Sequence, residues 1–173
     1  MISFQDETVA ELLLLGLLHH QPQSRPALKD KMAGLIGPQS AAQLDEGIAR
    51  LKQRCLILEQ DELSINDRGL EVLAEQIRQH PTDPCSLAIG LLLPVKMLFL
   101  PSLGLAEQKT MLERWAVELQ AEKARVQMIM EKLDRQGEDS FFYLWHEHSL
   151  MVLISRIEWL KMVVRRWNNR NLC

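Results

Sequence analysis

The stretch "LILEQDELSIN", residues 56–66, decides the fold. Leu56, Ile57 and Leu58 form a short apolar run, and Leu63 and Ile65 alternate with Ser64 and Asn66, which predicts two short strands. Between them Glu59, Gln60, Asp61 and Glu62 form a tight turn with three negative charges and no positive one. Upstream, "ETVAELLLLGLLHH" (7–20) places Val9, Leu12, Leu13, Leu17 and Leu18 on one broad helical face. "QPQS" breaks that helix, and Arg25 to Leu35 reads as a second, with Leu28, Met32 and Leu35 inward. After "GPQS", Ser40 is a good N-cap for a third helix whose Leu44, Ile48, Leu51 and Cys55 follow at intervals of four, three and four. This spacing makes Cys55 a small core residue. Asp67 to Gln79 supplies a fourth helix with Leu70, Leu73 and Ile77 inward. Three helices, a hairpin and a helix make a winged helix-turn-helix domain over residues 1–80, with the hairpin as its wing.

"HPTDPC" (80–85) marks a linker, residues 81–86, because its two prolines cannot continue a helix. Residues 87–173 read as a C-terminal helical domain. Its first segment, Leu87 to Leu100, is strongly apolar and kinked or split at Pro94. A long helix from Leu105 to Gln136 carries Leu112, Trp115, Leu119, Val126, Ile129 and Leu133 at spacings of three, four and seven. "RQGEDS" turns the chain, with Gly137 closing one helix and Ser140 or Asp139 capping the next, Phe141 to Trp167. Apolar residues around more of the circumference than one antiparallel partner can cover predict a homodimer. The fold class is therefore mainly α: a winged helix followed by an antiparallel helical dimerisation domain.

Composition narrows the function. The chain is 47% hydrophobic and 25% charged, ordinary for a globular protein. A net charge of −3 excludes a generally basic nucleic-acid binder but permits a local basic face. Asp6, Glu7 and Glu11 stand where a signal peptide needs basic and apolar residues, and the run 87–100 is too short to span a membrane. Three cysteines without metal-ligand spacing indicate a reducing cytoplasm. No nucleophile elbow, Gly-rich phosphate loop or zinc motif occurs, so no enzyme activity and no cofactor are expected. His146 and His148 lie about 200° apart on a helix and cannot share a metal.

With these elements in place the chain resembles the PadR family of bacterial transcriptional regulators over nearly its whole length. The resemblance is carried by "LLLLGLLHHQPQSRPALKDKM" (12–32), "IARLKQRCLI" (48–57), "LSINDRGLEVL" (63–73) and "SRIEWLKMV" (155–163). It implies a dimeric regulator that binds duplex DNA through its winged helix. It also implies an effector pocket for flat hydrophobic ligands at the dimer interface. Arg25-Pro26-Ala27-Leu28 replaces the family's Gly-Tyr-x-Leu, and Cys55 replaces the glycine that ends the third helix. Asp45 stands where the family commonly has an aromatic contact to DNA, and the wing lacks its usual bases. Met1 to His80 carry eight Lys/Arg against twelve Asp/Glu, a net of −4 for the domain meant to meet phosphate.

The expected DNA contacts are Arg25 and Lys29 on the second helix with Arg50 and Lys52 late in the third, all toward phosphates. Ser40, Gln43 and Gly47 are expected to face base edges. Trp115, Leu119, Phe142, Trp145 and Trp159 are expected at the dimer interface or effector pocket, with Trp145 able to pair across with Trp115. The alternative function is a protein-interaction adaptor that keeps the winged helix and has lost DNA binding, its partner being another protein.

Overall fold

The structure, a computed structural model, describes residues 4–36, 44–79, 89–136 and 141–171. The chain divides into two compact units, Met1–Leu103 and Gly104–Cys173.

In the first unit α1 (Phe4–His20) is the central element. Val9, Leu12, Leu13, Leu14, Leu15 and Leu18 are all buried, so apolar side chains surround this helix rather than forming one stripe. Each fully buried leucine contributes about 1.5–3 kcal/mol. Packed around it are α2 (Arg25–Ile36), α3 (Leu44–Gln53) and α4 (Asp67–Arg78). A hairpin of β1 (Ile57–Glu59) and β2 (Leu63–Ile65) lies between α3 and α4, in antiparallel register Ile57↔Ile65, Leu58↔Ser64 and Glu59↔Leu63. The winged helix read from sequence is therefore present. Its wing is also tied to the α1–α2 connection. Gln23 N–H donates to the Leu63 carbonyl at 3.0 Å and Leu63 N–H to the Gln23 carbonyl at 2.9 Å.

Both ends of the wing are fastened by side-chain or backbone caps. Leu56 N–H donates to the Leu51 carbonyl and Cys55 N–H to that of Lys52, each at 2.9 Å. These two bonds close α3 in a Schellman motif, with Cys55 in the left-handed region at φ 56°. The i+4 spacing predicts Cys55 as core, but the helix has already ended and its thiol is exposed. At the other end Asn66 caps α4: its Oδ1 accepts from Gly69 N–H at 2.9 Å and its Nδ2 donates to the Cys55 carbonyl at 3.0 Å. A Cβ at Gly69 would strike the Leu56 carbonyl oxygen, so this close approach requires glycine.

Two other expectations change, at Leu35 and at the linker. Leu35, predicted inward, is 46% exposed, while Leu28 and Met32 are buried. Leu58 points outward from the wing at 51% exposure, as the strand's period of two requires once Ile57 is buried. The linker composition predicts a boundary at 81–86, yet α5 (Ile89–Phe99) and the following 3₁₀ turn (Leu100–Ser102) belong to the first unit. Phe99 lies against Gly16 of α1, where a Cβ would fall into its ring. Buried Lys96 donates to the Gln79 carbonyl just past the end of α4. The prolines that punctuate the sequence do not mark where packing divides. The helix continues through Pro94. Residues 81–86 and the capping residues Gly137, Asp139 and Ser140 lie outside the described residues.

The second unit is a helical hairpin of α6 (Leu105–Gln136) and α7 (Phe141–Asn171). Leu112, Trp115, Leu119 and Val126 of α6 are buried with Leu153, Ile157 and Leu160 of α7, while Ile129 and Leu133 are half-buried. Trp167 Nε1 donates to Gln108 Oε1 at 3.0 Å, fastening the open end.

Candidate nucleic-acid interface

Helix α3 lies immediately before the wing, the position that a recognition helix takes in winged-helix proteins. Leu44, Gly47, Ile48 and Leu51 face the core, leaving Asp45, Glu46, Ala49, Lys52 and Gln53 exposed. Gly47 is therefore not a base-facing residue: a Cβ there would sit 2.8 Å from Leu14 Cδ1, so glycine lets α3 approach α1. Ser40 and Gln43 lie outside the described residues. Asp45 and Glu46 occupy the first turn of α3, where unpaired backbone N–H groups and the helix dipole favour an anion.

Charges from three elements meet beside this helix. Arg25, in the first turn of α2, donates from Nε to Glu59 Oε1 at 2.8 Å and from Nη1 to Asp45 Oδ1 at 2.7 Å. Lys52 Nζ donates to the other oxygen of Glu59 at 2.6 Å. Glu59 thus sits between two cations, one from α2 and one from α3. Hydrogen bonds from Arg25 and then Lys52 hold its carboxyl down at about 2. The Arg25 guanidinium is pushed up, first by its hydrogen bond to Glu59. Glu46 pairs with Arg50 at 3.1 Å one turn along α3, and Arg54 pairs with Glu11 of α1. The Arg25, Lys52 and Asp45 side chains remain 44%, 45% and 80% exposed, so the cluster faces solvent.

Of the expected phosphate contacts, the structure brings Arg25 and Lys52 together on one surface. Lys29 is exposed one turn beyond Arg25 on α2, and Arg50 is half-buried. Sequence alone does not show the acids that pair with them. Asp45 and Glu59 lie 20 and 34 residues from Arg25, a juxtaposition that no spacing within one element encodes.

The expected aromatic cluster is not assembled within the chain. Trp115 and Leu119 are buried in the hairpin, Trp159 is half-buried, and Phe142 and Trp145 are 70% and 57% exposed. Trp145 and Trp115 therefore do not share one packed environment. A separate cavity of about 260 Å³ lies between α6 and α7, with Leu119, Ile157, Leu160 and Val164 as apolar walls and Lys161 and Arg165 beside them. Among the described residues no cluster of three or more His, Cys, Asp or Glu could hold a metal, and no helix is long and apolar enough to cross a membrane.

No family model matches the chain, and no curated protein matches it. Among solved structures it is similar to Bacillus subtilis PadR in complex with p-coumaric acid, at 19% identity over 94% of this chain and 97% of that one, with a TM-score of 0.42. It is similar to the same protein in space group H32, at 19% identity over 92% and 99% of the two chains and a TM-score of 0.42. For that protein in complex with operator DNA the identity is 18%, the coverage 91% and 98%, and the TM-score 0.38.

Proposed function

We propose that this chain is a transcription regulator that acts as a homodimer and docks its winged helix on duplex DNA. One observation carries the reading: Arg25 and Lys52, from different helices, converge on a solvent-facing surface beside the recognition helix and wing. Cations so placed can hold backbone phosphates while α3 lies in the major groove. The test is titration of the full chain into a fluorescent random duplex across a salt series. Saturable binding at low salt that weakens as salt rises supports the reading, and no binding at low salt refutes it.

The homodimer is supported by the exposed apolar side chains of α7. Phe141, Phe142, Leu144, Trp145, Met151 and Ile154 leave a large apolar surface in water, of the kind that a second copy covers. A monomeric mass by light scattering at micromolar concentration would remove this part. The α6–α7 cavity supports modulation by a hydrophobic effector, since its walls are apolar.

A second reading, the adaptor that has lost DNA binding, is favoured by the ion pairs themselves. Arg25, Arg50, Lys52 and Arg54 each already have a carboxylate within the protein. The same titration separates the two readings, because an adaptor leaves the duplex unbound at every salt.

A further inference from the structure

We propose that Glu59 and Asp45 form an internal latch on the cationic surface of the winged helix, so that any polyanion binds there by displacing these carboxylates from Arg25 and Lys52. That the polyanion is duplex DNA rests on the reading above; the latch itself does not.

The geometry gives the latch its form. Glu59 spends both carboxylate oxygens, one on each cation, and Asp45 takes a second donor of the same guanidinium. The three bonds join the start of α2, both ends of α3 and the outer end of β1. An arriving phosphate would present the same planar pair of acceptors that a guanidinium recognises. The carboxylates therefore occupy the place of the ligand. Ion pairs this exposed contribute little net stability, so exchange is feasible and does not require unfolding.

Exchange changes the ion count. A free cation that neutralises a phosphate releases about one condensed counterion from the duplex. When the cation is taken from a carboxylate, that carboxylate is left beside the phosphates as an unneutralised negative charge, the net number of charges neutralised falls by one, and the net release is lost. Each latch carboxylate then reduces the salt slope by about 0.9, and removing one should restore it. Between 50 and 200 mM salt, one restored charge corresponds to an additional loss of affinity of about 3.5-fold, and two to about 12-fold.

The experiment uses the full chain with Glu59→Gln, Asp45→Asn and the double variant, each also with Arg25→Gln. Two probes are read: a random fluorescent duplex at 50 and 200 mM salt, and elution from immobilised heparin as a polyanion that is not a nucleic acid. The latch predicts later elution and a steeper slope for both single variants, with the largest effect in the double. It also predicts non-additivity: Arg25→Gln costs little in the latched protein and several-fold once Glu59 is glutamine. Additive effects would overturn the latch, since the acids would then act only through overall charge. Unchanged elution and unchanged slope would also overturn it, while wild-type DNA binding left the function standing. Later heparin elution by variants that bind no duplex would uphold the latch and end the DNA reading. Asp45, at 80% exposure, gives a variant whose fold is secure should Glu59→Gln lower the melting temperature.

Discussion

Cys55→Gly should stabilise the protein. Cys55 sits at φ 56°, where the Cβ of an L-residue crowds its carbonyl at a cost of about 1–2 kcal/mol. Glycine removes that crowding and adds unfolded-state freedom worth about 0.4–1 kcal/mol. The exposed thiol forfeits little burial when deleted. The net expectation is a gain of about 0.5–1 kcal/mol, or about 2–8 °C for a unit of this size. The assay must see the right unit. Trp115, Trp145, Trp159 and Trp167 all lie in Gly104–Cys173, so tryptophan fluorescence reports the hairpin and not the winged helix. Differential scanning calorimetry with far-UV circular dichroism covers both. Cys55→Ala is the control, because alanine keeps the Cβ and should change stability by less than about 0.5 kcal/mol. A lower melting temperature for Cys55→Gly, or an equal gain for Cys55→Ala, would show that backbone strain is not what limits this corner.

Asn66→Ala removes the α4 cap and the bond to the Cys55 carbonyl together, and should cost about 1–2 kcal/mol by chemical denaturation. Gly16→Ala drives a methyl group into the Phe99 ring and should cost about 1–3 kcal/mol, with Phe99→Leu restoring part of the loss in a double-mutant cycle. In a carboxyl NMR titration Glu59 should have its midpoint at about 2, and Arg25→Gln should move it up toward the ordinary carboxylate range. Because the folded-state value is the lower one, the pairing stabilises the fold fully above the ordinary value of 4.5 and is lost as pH falls from there through about 2. A wild-type midpoint near 4.5 would mean the ion pairs do not persist in solution.

Much of this architecture is legible in the residues because burial imposes a period. The leucines of α1 specify a helix, though one buried on several sides rather than on a single face, and the three-and-four spacing of α3 and the heptads of α6 each specify a helix and its inward face. Periodicity fails where the element ends. Leu51 and Cys55 are in phase, yet the chain leaves the helix before Cys55, and phase then says nothing about burial. It fails again at α5, whose place in the first unit depends on the ring of Phe99 meeting a missing side chain at Gly16 and on the Lys96 bond to Gln79, pairings that no period within α5 encodes. The candidate site divides the same way. Arg25 and Lys52 can be nominated from charge and position alone. Glu59 reads as one of three similar acids in a turn, and only the register Glu59↔Leu63 separates it from Asp61 and Glu62.

The two backbone bonds between Gln23 and Leu63 have a consequence for how this wing can change over evolutionary time. They set the register of β2 from outside the hairpin, while the α3 cap and Asn66 set its two feet. Residues Gln60, Asp61 and Glu62 form only the tip beyond that frame, and all three are exposed. Insertions or charge reversals at the tip leave every framing bond in place. The tip is thus a replaceable module, free to drift in length and sign, while Glu59, one residue inside the frame, is held to its position.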